Sequence, residues 1–255
     1  MNKSGNHNNT IPAVEKTLAI LSRLGNSDAP MTRQALSREL GITQSTGYRI
    51  LQTLLKYNWI RESRGNAYEL GNALLPLLLK MHRGEPYWEQ AQEILDTLAG
   101  ESRLSCKLSV RQGAEQLTLA RADSPGPFGI SGKAGSRFPI IEGSVGAALL
   151  LHAGRKEILH LAELCGEDIA EKRDPELLIQ SIGFLKEHHY VLNSGKNRWK
   201  IGALSKPVCG RGGEVIAAIT LLGLPGDFTP EKLPLLLSCL NKAVDAFRQG
   251  EKNII

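Results

Sequence analysis

The sequence predicts a two-part α+β protein, and three observations predict it. At 255 residues the chain exceeds one typical domain. Residues 32–55 carry two helical periods separated by a glycine, and a strand–turn–strand pattern follows directly. From about residue 104 onward, strand-like and helical stretches are mixed.

Taken in order, residues 1–10, MNKSGNHNNT, are polar and lack the apolar core of a signal peptide, so they read as a disordered arm. Val14, Leu18, Leu21 and Leu24 mark an amphipathic helix able to roof a small core. Thr32 reads as the N-cap of the next helix, with Ala35, Leu36 and Leu40 at helical spacing. Gly41 sits where a helix must turn left-handed at its C-terminal end. Thr43 caps a further helix whose apolar stripe is Ile50, Leu51, Leu54 and Leu55, with Gly47 on the same buried side. Its opposite face carries Gln44, Ser45, Tyr48 and Gln52, rich in hydrogen-bonding groups and almost free of carboxylates. This is the helix-turn-helix layout, in which the second helix enters a major groove.

An ordinary helical hairpin matches that stretch equally well, and the flanks break the tie. Trp59-Ile60-Arg61-Glu62 and Ala67-Tyr68-Glu69-Leu70 surround a Gly65-Asn66 turn, which predicts a basic β-hairpin wing. Residues 11–70 therefore read as a winged helix-turn-helix with double-stranded DNA as partner. Gln44, Ser45 and Tyr48 are the expected base-reading positions, with Thr46 and Gln52 beside them. Arg33 and Arg49 are expected at phosphates, and Arg61 and Arg64 extend the contact from the wing. Charge agrees. Residues 1–80 hold ten basic and five acidic side chains, and the rest of the chain holds 21 of each, so the whole net charge of +5 lies in the first part.

Gly71 to Met81 reads as a helix interrupted at Pro76, and residues 71–83 as a linker helix between domains. The leucines of 11–24 and 71–81 exceed what a small core needs, which marks those segments as a dimer surface. Tyr87 to Ala99 resumes a helical pattern. Leu104 to Val110 and Gln116 to Ala122 predict a hairpin around Gln112-Gly113. Leu149 to Leu164 and Asp174 to His189 read as helices, the second with Asp174 and Pro175 at its start. Lys200 to Val208 and Glu214 to Leu222 read as strands around Gly210-Arg211-Gly212-Gly213, and a last helix runs from after Thr229-Pro230 to about Arg248.

Several classes are excluded or disfavoured. The longest apolar run, Ala73 to Leu79, is too short to cross a bilayer, so no membrane is expected and the location is cytoplasmic. Cys106, Cys165, Cys209 and Cys239 are scattered without a CxxC pair, which fits reduced, buried thiols and no metal. His188-His189 lacks the neighbours of a metal site and reads as solvated or capping. No nucleophile elbow or phosphate-loop spacing is present, so neither an enzyme nor a cofactor is expected.

Several stretches together resemble the IclR family of bacterial transcriptional regulators. They are AVEKTLAILSRL, GITQSTGYRILQTL and GNAYELGNALL, then EGSVGAALL, IGFLKEHHYVLNSGK and GGEVIAAITLLG. The resemblance spans about residues 11–248. It implies a GAF-like α+β domain over 84–255 for effector binding and oligomerisation, a small-molecule effector, and a homodimer or homotetramer on operator DNA. Carried over by position, it implies an effector pocket at Ile130, Ser144, Val145, Asn193, Ile201, Ala203, Thr220 and Leu222. Gly143-Ser144 opening a helix would add free backbone N–H groups for an anion. Relatives often carry an acid at the position of Asn193, cysteine at that of Ala203 and, where a small carboxylate is bound, serine at that of Leu222. The aliphatic Ala203 and Leu222 point to a larger or more apolar effector, or to a degenerate pocket. A ligand-independent regulator whose second domain only assembles is the alternative.

Overall fold

The computed structural model describes residues 10–77, 90–126, 129–130, 132–195 and 197–250. The chain divides into two compact units, Met1–Arg83 and Gly84–Ile255.

The first unit contains α1 (Pro12–Gly25), β1 (Met31–Thr32), α2 (Arg33–Glu39), α3 (Gln44–Lys56), β2 (Ile60–Ser63) and β3 (Ala67–Leu70). Its punctuation follows the local chemistry. The Thr32 hydroxyl accepts from the Ala35 N–H, Gly41 turns at φ +63°, and the Thr43 hydroxyl accepts from the Thr46 N–H. Gly47 lies where α2 and α3 meet, and a Cβ added there would stand 2.7 Å from the Ser37 hydroxyl. Ile20, Leu24, Leu36, Ile50, Leu51, Leu54, Ile60 and Tyr68 form the core.

Two expectations change here. β1 pairs antiparallel with β3, so the wing is a three-stranded sheet in the order β1-β3-β2. A two-residue strand is too short to show alternation in sequence. The roofing face of α1 is Ile20 and Leu24, whereas Val14 and Leu18 are 50% and 58% exposed. One helix with two apolar stripes buries only the one that meets a small core. After β3, a 3-10 turn over Asn72–Leu74 passes into helical residues 75–77. Pro76 sits in the first turn of that segment, where its missing N–H leaves no helical bond unmade, so it does not break a helix there. The arm expected over residues 1–10, apart from Thr10, lies outside the described residues, as do positions 78–83 of the linker helix.

The second unit contains α4 (Ala91–Ser102), β4 (Ser105–Gln112), β5 (Glu115–Ala122), β6 (Arg137–Pro139), α5 (Gly143–Leu149), α6 (Arg155–Leu164), α7 (Ala170–Arg173), α8 (Glu176–His188), β7 (Val191–Ser194), β8 (Gly202–Cys209), β9 (Val215–Gly223) and α9 (Leu233–Gly250). Its six strands form one sheet in the order β6-β5-β4-β9-β8-β7, each neighbouring pair antiparallel. Cys106 and Leu108 of β4 and Ala217, Ile219 and Leu221 of β9 pack with α4 and α9. Ala218 joins α5, α6 and α8 in a separate core. The two central strands are thus covered on both faces, and alternate residues serve different layers.

The helix expected over 149–164 starts only at Arg155 as α6, and α5 ends at Leu149. Leu150 to Gly154 separate the two, since Leu150, Leu151 and His152 form a turn and Gly154 precedes α6 with an extended backbone. β6, β7 and α7 are short elements with no periodic signal of their own. Asp174 behaves as expected: its carboxylate accepts from the Glu176 N–H at the start of α8. His189 ends α8 in the left-handed region, and the four cysteines are free thiols.

Candidate functional site

On the first unit, Gln44, Ser45, Tyr48, Arg49 and Gln52 are exposed along one side of α3. The buried stripe of Gly47, Ile50, Leu51 and Leu54 fixes the helix from behind. Thr46 is half-buried, and its hydroxyl accepts from Thr43 at 2.9 Å, so it serves the helix start. The Arg33 guanidinium lies 5.4 Å over the Tyr48 ring, which brings the starts of α2 and α3 together. In the wing, Arg61 opposes Glu69 across the hairpin and pairs with it at 3.1 Å. Arg64 is exposed at the turn beside Gly65 and Asn66, both with positive φ.

In the second unit, Ile130, Ser144, Val145, Asn193, Ile201, Ala203 and Leu222 line one cavity of about 220 Å³. Thr220 does not line it. Its fully buried hydroxyl lies 2.8 Å from Ser205 Oγ, and Ser205 donates to Ser144 Oγ at 2.9 Å. Thr220 therefore braces the wall from behind. One of the N–H groups expected to offer an anion site at the start of α5 is taken: the Gly143 N–H donates to the Glu171 carboxylate at 2.9 Å. α7, which carries Glu171, was not foreseen, so neither was this contact.

The cavity also holds residues that the sequence did not single out, among them Lys107, Gln116, Phe138, Glu142 and Trp199. Lys107 is only 7% exposed, and burial pushes its ammonium down to about 8 against the opposing pull of Glu142. Its Nζ stands 4.9 Å from the centre of the Phe138 ring and makes no hydrogen bond or ion pair among the described residues. Glu142 is 6% exposed and accepts from Arg198 Nε at 2.9 Å and Nη2 at 3.0 Å. Burial pushes the Glu142 carboxyl up to about 7 despite that arginine. Arg198 also pairs with Glu167 and lies 4.5 Å over the Trp199 ring. Trp199 meets Phe138 edge-on at 5.4 Å. Asn197 fixes this loop by accepting from the Trp199 and Ile201 N–H groups and donating to the Ile201 carbonyl at 2.7 Å.

The arrangement is a binding cavity in character: mostly apolar, with a few convergent polar groups. Among the described residues no cluster of His, Cys, Asp or Glu is placed to hold a metal, and no helix is long and apolar enough to cross a membrane.

Residues 13–64 match the IclR helix-turn-helix domain, and residues 85–248 match the domain described as bacterial transcriptional regulator IclR C-terminal. The chain is 23% identical over 244 residues to the HTH-type transcriptional regulator KipR of Bacillus subtilis (strain 168), covering 94% of this chain and 96% of KipR. Its fold is similar to that of an IclR transcriptional regulator from Alicyclobacillus acidocaldarius, with a TM-score of 0.76 at 18% identity over 95% of this chain and 99% of that one. An IclR homolog from Microbacterium hydrocarbonoxydans, solved in complex with 4-hydroxybenzoate, gives 0.70 at 18% identity over 94% and 99%. With family matches to both units, the chain belongs to the IclR family of bacterial transcriptional regulators.

Proposed function

We propose that this regulator reads operator DNA through α3 and the wing, and that a small molecule in the cavity of the second unit sets its occupancy of that DNA. Residues 11–70 would bind DNA, 71–83 connect, and 84–255 bind effector and assemble a homodimer or homotetramer in the cytoplasm. The observation that carries the proposal is the cavity: seven positions scattered from Ile130 to Leu222 border one space of ligand-binding character. The homolog solved with 4-hydroxybenzoate supports a small organic ligand. On the first unit, support comes from the exposed Gln44, Ser45, Tyr48 and Arg49 on one side of α3. Arg61 contributes less than Arg64, because Glu69 already neutralises it.

A ligand shifts occupancy only through unequal affinity for the DNA-competent and incompetent states, and coupling of about 1–3 kcal/mol gives a several-fold change. Footprinting of the full-length protein on promoter fragments at fixed salt, with and without metabolite pools, tests both halves. The expected result is a pseudo-palindromic footprint that a ligand strengthens or releases. Equal affinity for unrelated DNA would overturn sequence-specific readout. A footprint that no metabolite alters leaves a ligand-independent regulator whose second unit only assembles. Sedimentation should show a dimer or tetramer, and a monomer at micromolar concentration would sink the assembly proposal.

A further inference from the structure

We infer that the second unit carries another ligand site, a basic cleft between β8 and the ends of α8 and α9, which holds a small organic molecule by its phosphate group. β7 pairs with β8 only as far as Ser205, so Lys206 to Cys209 have no strand on that edge among the described residues. The ends of α8 and α9 and the turn after α5 surround this edge and leave a cleft of about 700 Å³. That lies within the roughly 300–1,000 Å³ of sites for small organic ligands. His152 Nε2 stands 3.0 Å from the Gly213 carbonyl oxygen, which ties the turn after α5 to the β8–β9 hairpin and fixes one wall.

The charge in the cleft points to the ligand class. Lys206 is half-buried in β8, and its strand neighbours Leu204 and Val208, each two residues away, belong to the apolar core under α9. Packing alone calls for an apolar residue there, since a lysine gives up solvation. Burial lowers its ammonium from the usual value against the pull of Asp245, and its Nζ donates to the neutral Asn241 Oδ1. Lys186 and Arg248 stand at the rim in the last turns of α8 and α9, where a cation also offsets the helix dipole. Lys206, in a strand, has no such role. Three lysine and arginine charges less the one lining carboxylate, Asp245, leave an excess of two among the described residues. A phosphate monoester carries about −1.5 to −2 and three acceptor oxygens, which matches that excess. Leu151, Leu185, Pro207 and Val244 offer apolar wall to the rest of the molecule. The site is separate from the central cavity: Ala203 borders that cavity and Lys206 this cleft, on opposite faces of β8.

Calorimetric titration of the full-length protein at fixed salt with phenyl phosphate, inorganic phosphate and a short random-sequence duplex tests this. Phenyl phosphate is expected to bind several-fold more tightly than inorganic phosphate. Lys206→Met should weaken it at least about tenfold, the scale of one charge-assisted contact, and Arg248→Gln several-fold. Arg248 is exposed, so its variant keeps the test decisive if melting shows that Lys206→Met does not fold. Lys242→Gln is the control. It removes the same charge from α9, but Lys242 pairs with Glu101 away from the cleft, so affinity should not change. Ala203→Trp, which fills the central cavity, should also leave phenyl phosphate binding intact; loss of binding there would assign the compound to the central cavity and overturn the inference. Silence of phenyl phosphate at millimolar concentration, or equal weakening by Lys242→Gln and Arg248→Gln, would overturn it too. Inorganic phosphate bound as tightly as phenyl phosphate would overturn the organic body. If phenyl phosphate does not bind and Lys206→Met and Arg248→Gln lower affinity for the duplex, the cleft is a contact for DNA backbone and the small-molecule site is refuted.

Discussion

Gly143 donates its backbone N–H to the Glu171 carboxylate at 2.9 Å, so α7 caps the start of α5 from 28 residues away. Gly143 itself stands at φ +66°, a conformation that favours glycine. The cap is expected to be worth about 0.5–2 kcal/mol, the range for N-terminal caps. Glu171→Ala should lower the urea midpoint accordingly, and Glu171→Gln, which keeps an acceptor oxygen, should recover much of the loss. Equal stability of all three proteins would mean the contact contributes nothing.

Gln44→Ala should weaken binding to the specific operator by roughly 1–3 kcal/mol, as for one lost base contact. Arg49→Ala should weaken all DNA about equally and flatten the dependence on salt. Competition assays at fixed salt separate the two behaviours. An unchanged ratio of specific to non-specific affinity in Gln44→Ala would place the reading face elsewhere.

Two glycines make opposite predictions. A Cβ at Gly146 would stand 2.2 Å from the Ile140 carbonyl oxygen, a backbone atom that cannot move aside cheaply. Gly146→Ala is therefore expected to cost roughly 1–3 kcal/mol or more. At Gly183, exposed in α8, an added Cβ meets nothing within 4 Å, and alanine should stabilise by about 0.5–1 kcal/mol. Thermal melts of the two variants should move in opposite directions.

Glu142 and Lys107 give the second unit a pH signature. The Glu142 carboxyl is raised from 4.5 to about 7 on folding, so between those values the folded state holds a proton that the unfolded chain has lost. Its contribution to stability therefore falls as pH rises from about 4.5 to 7 and stays low above that. Lys107 is lowered from 10.5 to about 8, so its contribution rises with pH only across that higher window. Glu142→Gln should gain stability relative to the unaltered protein as pH goes from 5 to 7, whatever the constant offset from its changed contact with Arg198. A difference that stays flat across that range would rule out burial as the cause.

Much of the first unit was legible in the sequence because its determinants are local. A capping threonine, a left-handed glycine and a helical stripe act within a few residues, and Thr32, Gly41, Thr43 and the Ile50–Leu54 stripe all fall where that chemistry puts them. Two-residue β1 and the exposed Val14 and Leu18 escaped, since pairing partners and the size of the core are not local properties.

In the second unit the sequence by itself determined the long strands, the main helices and, through family resemblance, seven of the residues that border the cavity. Only the tertiary structure decided the cavity's chemistry. Cys106, Leu108 and Val110 made β4 read as an ordinary strand, yet its alternate residues Ser105, Lys107 and Ser109 are buried as well. Burial on both faces of a central strand turns an apparently solvated lysine into an enclosed charge. Glu171 likewise reaches the start of α5 only because α7 folds back to it. Local periodicity sets which elements form; which charges end up buried together follows from contacts between residues far apart in the chain.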